Sequence, residues 1–110
     1  MGVRFTYSKT YKTVVKFNTL NPEGKPEEQF FDAEFKRLTR LEVKGLIDES
    51  LNDAEMVRKV LVGWTMTDAE TKEVAEFNET NLTLFLELPG AAGVTMMRYL
   101  ETVGANRAKN

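Results

Sequence analysis

Apolar residues alternate with polar ones over the first third of the chain and recur at helical spacing over the rest. Val3, Phe5 and Tyr7 alternate with Arg4, Thr6 and Ser8. Tyr11, Thr13, Val15 and Phe17 continue on one face, with Lys12 and Lys16 on the other. A period of two predicts a half-buried strand. Asn21-Pro22-Glu23-Gly24-Lys25-Pro26 then punctuates the chain, with proline suited to the second turn position and glycine to the fourth. Phe31, Ala33 and Phe35 alternate with Asp32, Glu34 and Lys36 and predict a second strand, closing a hairpin.

From Thr39 the period changes. Thr39 and Glu42 form a T-x-x-E capping box, with Leu38 and Val43 placed as a hydrophobic staple. Val43, Leu46, Ile47 and Leu51 define the inner face of a first helix, interrupted by Gly45. Asn52 or Asp53 ends it and caps a second helix carrying Met56, Val57, Val60 and Leu61. Gly63-Trp64 breaks that pattern, glycine being a plausible helix terminator. Thr67 to Glu76 is polar and charged, and is predicted as a surface loop. Asn78 caps a third helix with Leu82, Phe85 and Leu86 inward and Phe77 stapled to Leu82. Pro89-Gly90 interrupts. A fourth helix runs from about Ala91 to Val103 with Met96, Met97, Leu100 and Val103 inward, and Gly104 stops it.

Strands first and helices after predict an α+β fold, with an N-terminal antiparallel β-hairpin packed on about four short α-helices. The 110 residues make one domain, with 1–9 as a flexible arm and 105–110 as a flexible basic tail. A two-stranded hairpin alone is marginal, so it must pack on the helices or find a third strand, which a second subunit could supply. A homo-oligomer is compatible with that need.

Composition narrows the chemistry. With 15 Lys and Arg against 17 Asp and Glu, the net charge of −2 disfavours a globally basic nucleic-acid binder. Cysteine and histidine are both absent, which removes disulfides, the usual zinc sites, a cysteine nucleophile and a histidine base. No cofactor motif is present. Met1 to Tyr7 shows no signal-peptide pattern and no apolar run approaches a bilayer span, so the sequence predicts a soluble cytoplasmic protein.

The remaining candidate chemistry is thin. Asp48, Glu49, Asp53 and Glu55 cluster at a helix junction, but they alternate with the apolar stripe and are expected in solvent. A carboxylate hydrolase would need one of them in a concave, partly dry site. Gly90-Ala91-Ala92-Gly93 lacks the lysine and hydroxyl of a phosphate loop and suits a helix–helix joint better. Asn78 and Asn81 match glycosylation sequons, which without a signal peptide never meet the machinery, and Asn78 is better explained as a helix cap. Arg4, Lys9, Lys12 and Lys16, interleaved with Tyr7 and Tyr11, leave a nucleic-acid-binding or regulatory hairpin as the alternative function.

An ordered set of motifs supplies a further pointer. Phe31-Asp32-Ala33-Glu34-Phe35-Lys36-Arg37-Leu38 runs into a capped helix. Val60-Leu61-Val62-Gly63-Trp64 follows, then a charged loop and Phe77-Asn78-Glu79-Thr80-Asn81-Leu82. Leu88-Pro89-Gly90, a helix bearing Tyr99 and the basic end Arg107-Ala108-Lys109-Asn110 complete it. From Thr13 to Asn110 the chain resembles the small tail assembly chaperones of tailed bacteriophages. It departs from them in having neither Gly nor Pro in the loop after the tryptophan.

The resemblance implies a non-enzymatic role in the cytoplasm of the bacterial host. Such chaperones bind the long, mostly helical tape measure protein and keep it soluble until tail subunits polymerise around it. Many exist in two lengths through a ribosomal frameshift, the longer form engaging the tail tube protein. An exposed apolar stripe aggregates, and a hydrophobic groove on many chaperone copies can cover it with weak, displaceable contacts. No nucleotide is needed for that. The candidate partner-binding residues are Trp64, Met66, Phe77, Met96 and Met97, of which at least half are expected to be core.

Overall fold

The structure is a computed structural model that describes residues 2, 3, 5, 7–68 and 71–104. Two long strands, β1 (Thr10–Leu20) and β2 (Pro26–Lys36), form an antiparallel hairpin. Helices α1 (Arg40–Asp48) and α2 (Asp53–Val60) follow, then a short strand β3 (Leu61–Thr65), and helices α3 (Glu79–Glu87) and α4 (Ala91–Val103). The sheet order is β1-β2-β3, with the helices on one face. The fold is α+β, as the order of hydrophobic periods predicts.

The local signals act where the sequence places them. At the hairpin tip Asn21 accepts the backbone N–H groups of Glu23 and Lys25 through Oδ1, and Gly24 takes φ +78°. Thr39 and Glu42 form the full reciprocal capping box, and the Thr39 N–H holds the Glu42 carboxyl below the usual range. Asn52 and Glu55 form a second box on α2, and Asn78 caps α3. Gly90, at φ +83°, turns the chain between α3 and α4.

The third strand comes from this chain, through a segment the periodicity assigns elsewhere. Val57, Val60 and Leu61 have helical spacing, but Leu61 already belongs to β3, and Gly63-Trp64 lies within the strand instead of ending a helix. Leu61 and Trp64 are an odd number of residues apart, so a regular strand would point them to opposite faces. A bulge opposite Glu34 and Phe35 absorbs the extra residue, and both side chains turn inward.

The expected strand at Val3 to Tyr7 does not form among the described residues there, and Val3, Phe5 and Tyr7 are exposed. The reason is a missing partner. The Arg37 N–H still reaches the Lys9 carbonyl, but after Leu38 the chain turns into α1, and among the described residues no strand lies opposite Val3, Phe5 and Tyr7. The predicted tail at 105–110 lies outside the described residues.

Val15, Phe31, Ala33 and Phe35 from the hairpin pack on Val57, Val60, Leu82, Phe85, Met96 and Tyr99. Two inward assignments fail. Ile47 is 53% exposed and Met97 is 64% exposed. The inner stripe of α4 runs instead through Ala91, Thr95, Met96 and Tyr99, and Met97 lies a helical step away from it. Tyr99 is fully buried, edge-on to Phe35 at 5.1 Å, and its hydroxyl donates to the Lys36 carbonyl.

Replacing Phe35 by alanine should lower stability by about 3–5 kcal/mol, read as a fall in the urea midpoint without loss of the two-state transition. Burial raises the Tyr99 hydroxyl well above its ordinary 10.0, with Tyr11 beside it acting in the same direction; Tyr11 is also raised, by burial. A group with a raised folded pKa stabilises fully below the unfolded value and loses that contribution as pH rises through the folded one. Stability should therefore fall as pH climbs above about 10, and Tyr99→Phe should flatten the fall in urea titrations repeated across that range.

Candidate functional site

An aromatic-floored recess opens between the distal half of the hairpin, β3 and α3. It is a trough of about 400 Å³. Phe17 from β1, Phe31 from β2, Trp64 from β3 and Phe85 from α3 make its floor. Alternation in the strands puts Phe17 and Phe31 on the inner sheet face, and the bulge puts Trp64 beside them. Met66 continues the floor past the end of β3.

The floor is an edge-to-face aromatic cluster. Phe31 and Phe85 stand 5.2 Å apart at 79°, and Phe17 meets Phe85 at 5.8 Å and 84°. Trp64 meets Phe85 at 5.6 Å and Phe31 at 6.1 Å. Phe77, just before α3, abuts Trp64 at 5.0 Å and 88°. Such contacts match the positive ring edge to the negative face and add about 0.5–1.5 kcal/mol each beyond burial. The Trp64 Nε1–H donates to the Ala75 carbonyl at 2.7 Å, which ties the indole to the loop after β3.

The rim differs from the floor. Phe30, Leu84 and Leu88 stand there exposed, at 70%, 58% and 42%. Thr19, Gln29, Thr67, Asp68 and Asn81 supply polar groups around them. Asp68 is the sole charged residue among the lining residues. A concave apolar floor with exposed apolar residues and a polar rim fits the side chains of another polypeptide.

The structure separates the sequence candidates. Trp64 and Met66 line the trough, while Phe77 packs edge-on against Trp64 without lining it. Met96 is 2% exposed and packs inside the core, so it offers no contact surface. Met97 lies elsewhere, over a shallow recess with Val14, Val94 and Arg98. Phe30, Leu84 and Leu88 escape the sequence reading. Phe30 occupies the polar phase of β2 and Leu84 the outer face of α3, so each breaks the amphipathic pattern, and that breach is the available signal.

The other candidates stay apart from the trough. Asp48, Glu49, Asp53 and Glu55 are exposed. Asp48 pairs with Lys44 at 2.7 Å, Glu49 with Lys59 at 3.6 Å, and Glu55 accepts the Asn52 N–H. The first turn of α4 already faces a carboxylate, since a Cβ on Gly93 would stand 3.3 Å from Asp53 Oδ2. Among the described residues no three His, Cys, Asp or Glu side chains converge to hold a metal ion. Among them, too, no helix is long and apolar enough to cross a membrane.

The basic hairpin splits into two faces. Lys12 and Lys16 are exposed on the outer sheet face. Tyr11 points inward, against Phe35 and Tyr99, with its hydroxyl 2.9 Å from Thr102 Oγ1. Arg37 lies over the rings of both Tyr7 and Tyr11, at 5.0 and 5.1 Å. Tyr11 therefore presents no free ring beside Lys12 and Lys16 for a base to stack on.

Trp64→Phe keeps a ring in the cluster but removes the donor to Ala75. It should cost about 1–2 kcal/mol, and amide exchange of Ala75, whose N–H donates to the Met66 carbonyl, should accelerate. Unchanged exchange at Ala75 would show that the indole does not hold the loop. No family model, no curated protein and no solved structure matches this chain.

Proposed function

We propose that this chain is a tail assembly chaperone of a tailed bacteriophage. It binds the tape measure protein in the cytoplasm of the bacterial host and keeps it soluble during tail morphogenesis, through reversible apolar contacts and without nucleotide. The tail tube protein is a second partner in this reading, recruited through a frameshifted longer product. No bond is made or broken.

The observation that carries the reading is the trough. Two of the motifs behind the resemblance line it, through Trp64 on β3 and Leu88 at the end of α3, and Phe77 packs against Trp64. A tape measure protein before assembly exposes apolar stripes whose aggregation the trough would block. Its floor is already packed, so little side-chain entropy is lost on contact. Several copies along one tape measure would add avidity while each contact stays displaceable. Polymerising tail subunits need only compete for the same stripes.

Co-expression with a tape measure fragment tests this. The wild-type chain should keep the fragment in the supernatant. Leu84→Asp with Leu88→Asp alters exposed rim positions, so the chain itself should fold while the fragment pellets. Burying a leucine is worth about 1.5–3 kcal/mol, so each substitution should weaken binding roughly tenfold or more. Lys12→Glu with Lys16→Glu should leave solubilisation unchanged. Equal aggregation of the fragment with and without the wild-type chain would overturn the proposal.

A further inference from the structure

We propose that the trough receives an extended segment of another polypeptide as an added strand on the open half of β2. The segment alternates apolar residues, which enter the trough, with basic residues on the outer sheet face, set against Glu28. The inference rests on the trough as the binding site and specifies the form in which its ligand is held.

The ladder determines which backbone groups are free. The Arg37 N–H donates to the Lys9 carbonyl at one end of the β1–β2 pair, and the Asn21 N–H donates to the Lys25 carbonyl at the other, both at 2.9 Å. The register between them preserves parity, so odd residues of β2 bond to β1 and even residues face the other edge. β3 covers that edge only from Asp32 to Phe35. Beyond Thr65 the chain swings away: the Ala75 N–H donates to the Met66 carbonyl, and Thr67 bridges Val74. No strand among the described residues lies opposite Phe30 and Glu28. Phe30 lines the trough, and Glu28 follows it along the same edge.

The divergence of Met66 from β2 creates the wedge that an added strand would fill. Its inward side chains would land on Phe31, Trp64 and Phe85, in line with those of β3. Main-chain bonds to Phe30 and Glu28 would supply register, and the floor would select apolar residues at alternate positions.

Contrast with the other edge supports this. On β1 the even residues face outward, and Arg98 from α4 already donates to the Val14 carbonyl at 3.0 Å. Lys12 and Lys16 further guard that edge against pairing. On the open half of β2 Pro26 withholds one N–H at the start of the strand, but no side chain among the described residues caps Glu28 or Phe30. The charges of this half are Glu27 and Glu28, and no Lys or Arg lines the trough. A second copy of this chain fits poorly, because pairing two such edges would gather four carboxylates in one short ladder. Neither end of the described chain feeds the site. Ser8 and Gly104 flank a recess beyond Tyr11, roughly 20–25 Å along the strand from the trough.

The probe is a short N-acetylated peptide alternating valine with lysine. It should shift the emission of Trp64 and slow amide exchange at Glu28 and Phe30 at least about tenfold. The same peptide N-methylated at alternate bonds should bind at least about tenfold more weakly, because the ladder is lost. Glu28→Pro removes a free N–H and leaves the bonds to β1 intact, so it should fold and bind as weakly. Equal binding of the N-methylated peptide by the wild-type chain, or no added protection at Glu28 and Phe30, would overturn the inference even if Glu28→Pro failed to fold. A tape measure fragment that is solubilised while those two amides stay unprotected would sink strand addition and spare the chaperone. Peptide protection without any effect on the fragment would do the reverse.

Discussion

The hairpin is longer than any helix that covers it, and the shape of the site follows from this. An eleven-residue strand extends about 36 Å, and the thirteen-residue α4 about 20 Å. Helices can therefore bury the end of the sheet near Tyr11, Phe35 and Tyr99, but not all of the inner face toward Phe17 and Gln29. Helix α3 covers part of the remainder through Phe85. What is left is the trough, an aromatic floor under a partly open roof.

The covered end is tied by specific bonds as well as by packing. The Tyr99 hydroxyl reaches the Lys36 carbonyl, Tyr11 meets Thr102, and Arg98 reaches Val14. These three contacts tie α4 across the hairpin, and the two tyrosine hydroxyls find partners where they are partly buried. The open end has the opposite character. Its strand β3 is five residues long, its edge is half paired, and its loop is held by the Trp64 indole. The two ends of one sheet thus differ in how much of their backbone and side-chain surface is paired.

Parity links the two edges. In an antiparallel pair, side chains and backbone hydrogen bonds alternate with the same period, so each outward residue also presents its amide to the outer edge. On β1 this exposes Val14, which α4 caps through Arg98. On β2 it exposes Glu28 and Phe30, which nothing in the described chain caps. The bulge at Glu34 and Phe35 turns Trp64 toward the same open side, so the largest side chain of the chain and its free backbone meet in one place.

Much of this was legible in the residues alone. The hairpin turn at Asn21 to Lys25, the caps at Thr39, Asn52 and Asn78 and the break at Pro89-Gly90 rest on local bonds, and local bonds need only neighbours in the chain. Trp64 and Phe77 also stood out as large apolar residues at element boundaries. The rest depends on partners distant in sequence. Leu61 to Thr65 is a strand because the edge of β2 is there to pair with it, and Val3, Phe5 and Tyr7 stay unpaired because no strand among the described residues lies opposite them. Met96 is core while Met97 is surface because α4 rolls its Tyr99 stripe onto Phe35. The sequence by itself determined the elements and where they stop; only tertiary packing decided which strand edge stayed open and which aromatics came to floor it, because pairing and burial are set by what each element meets.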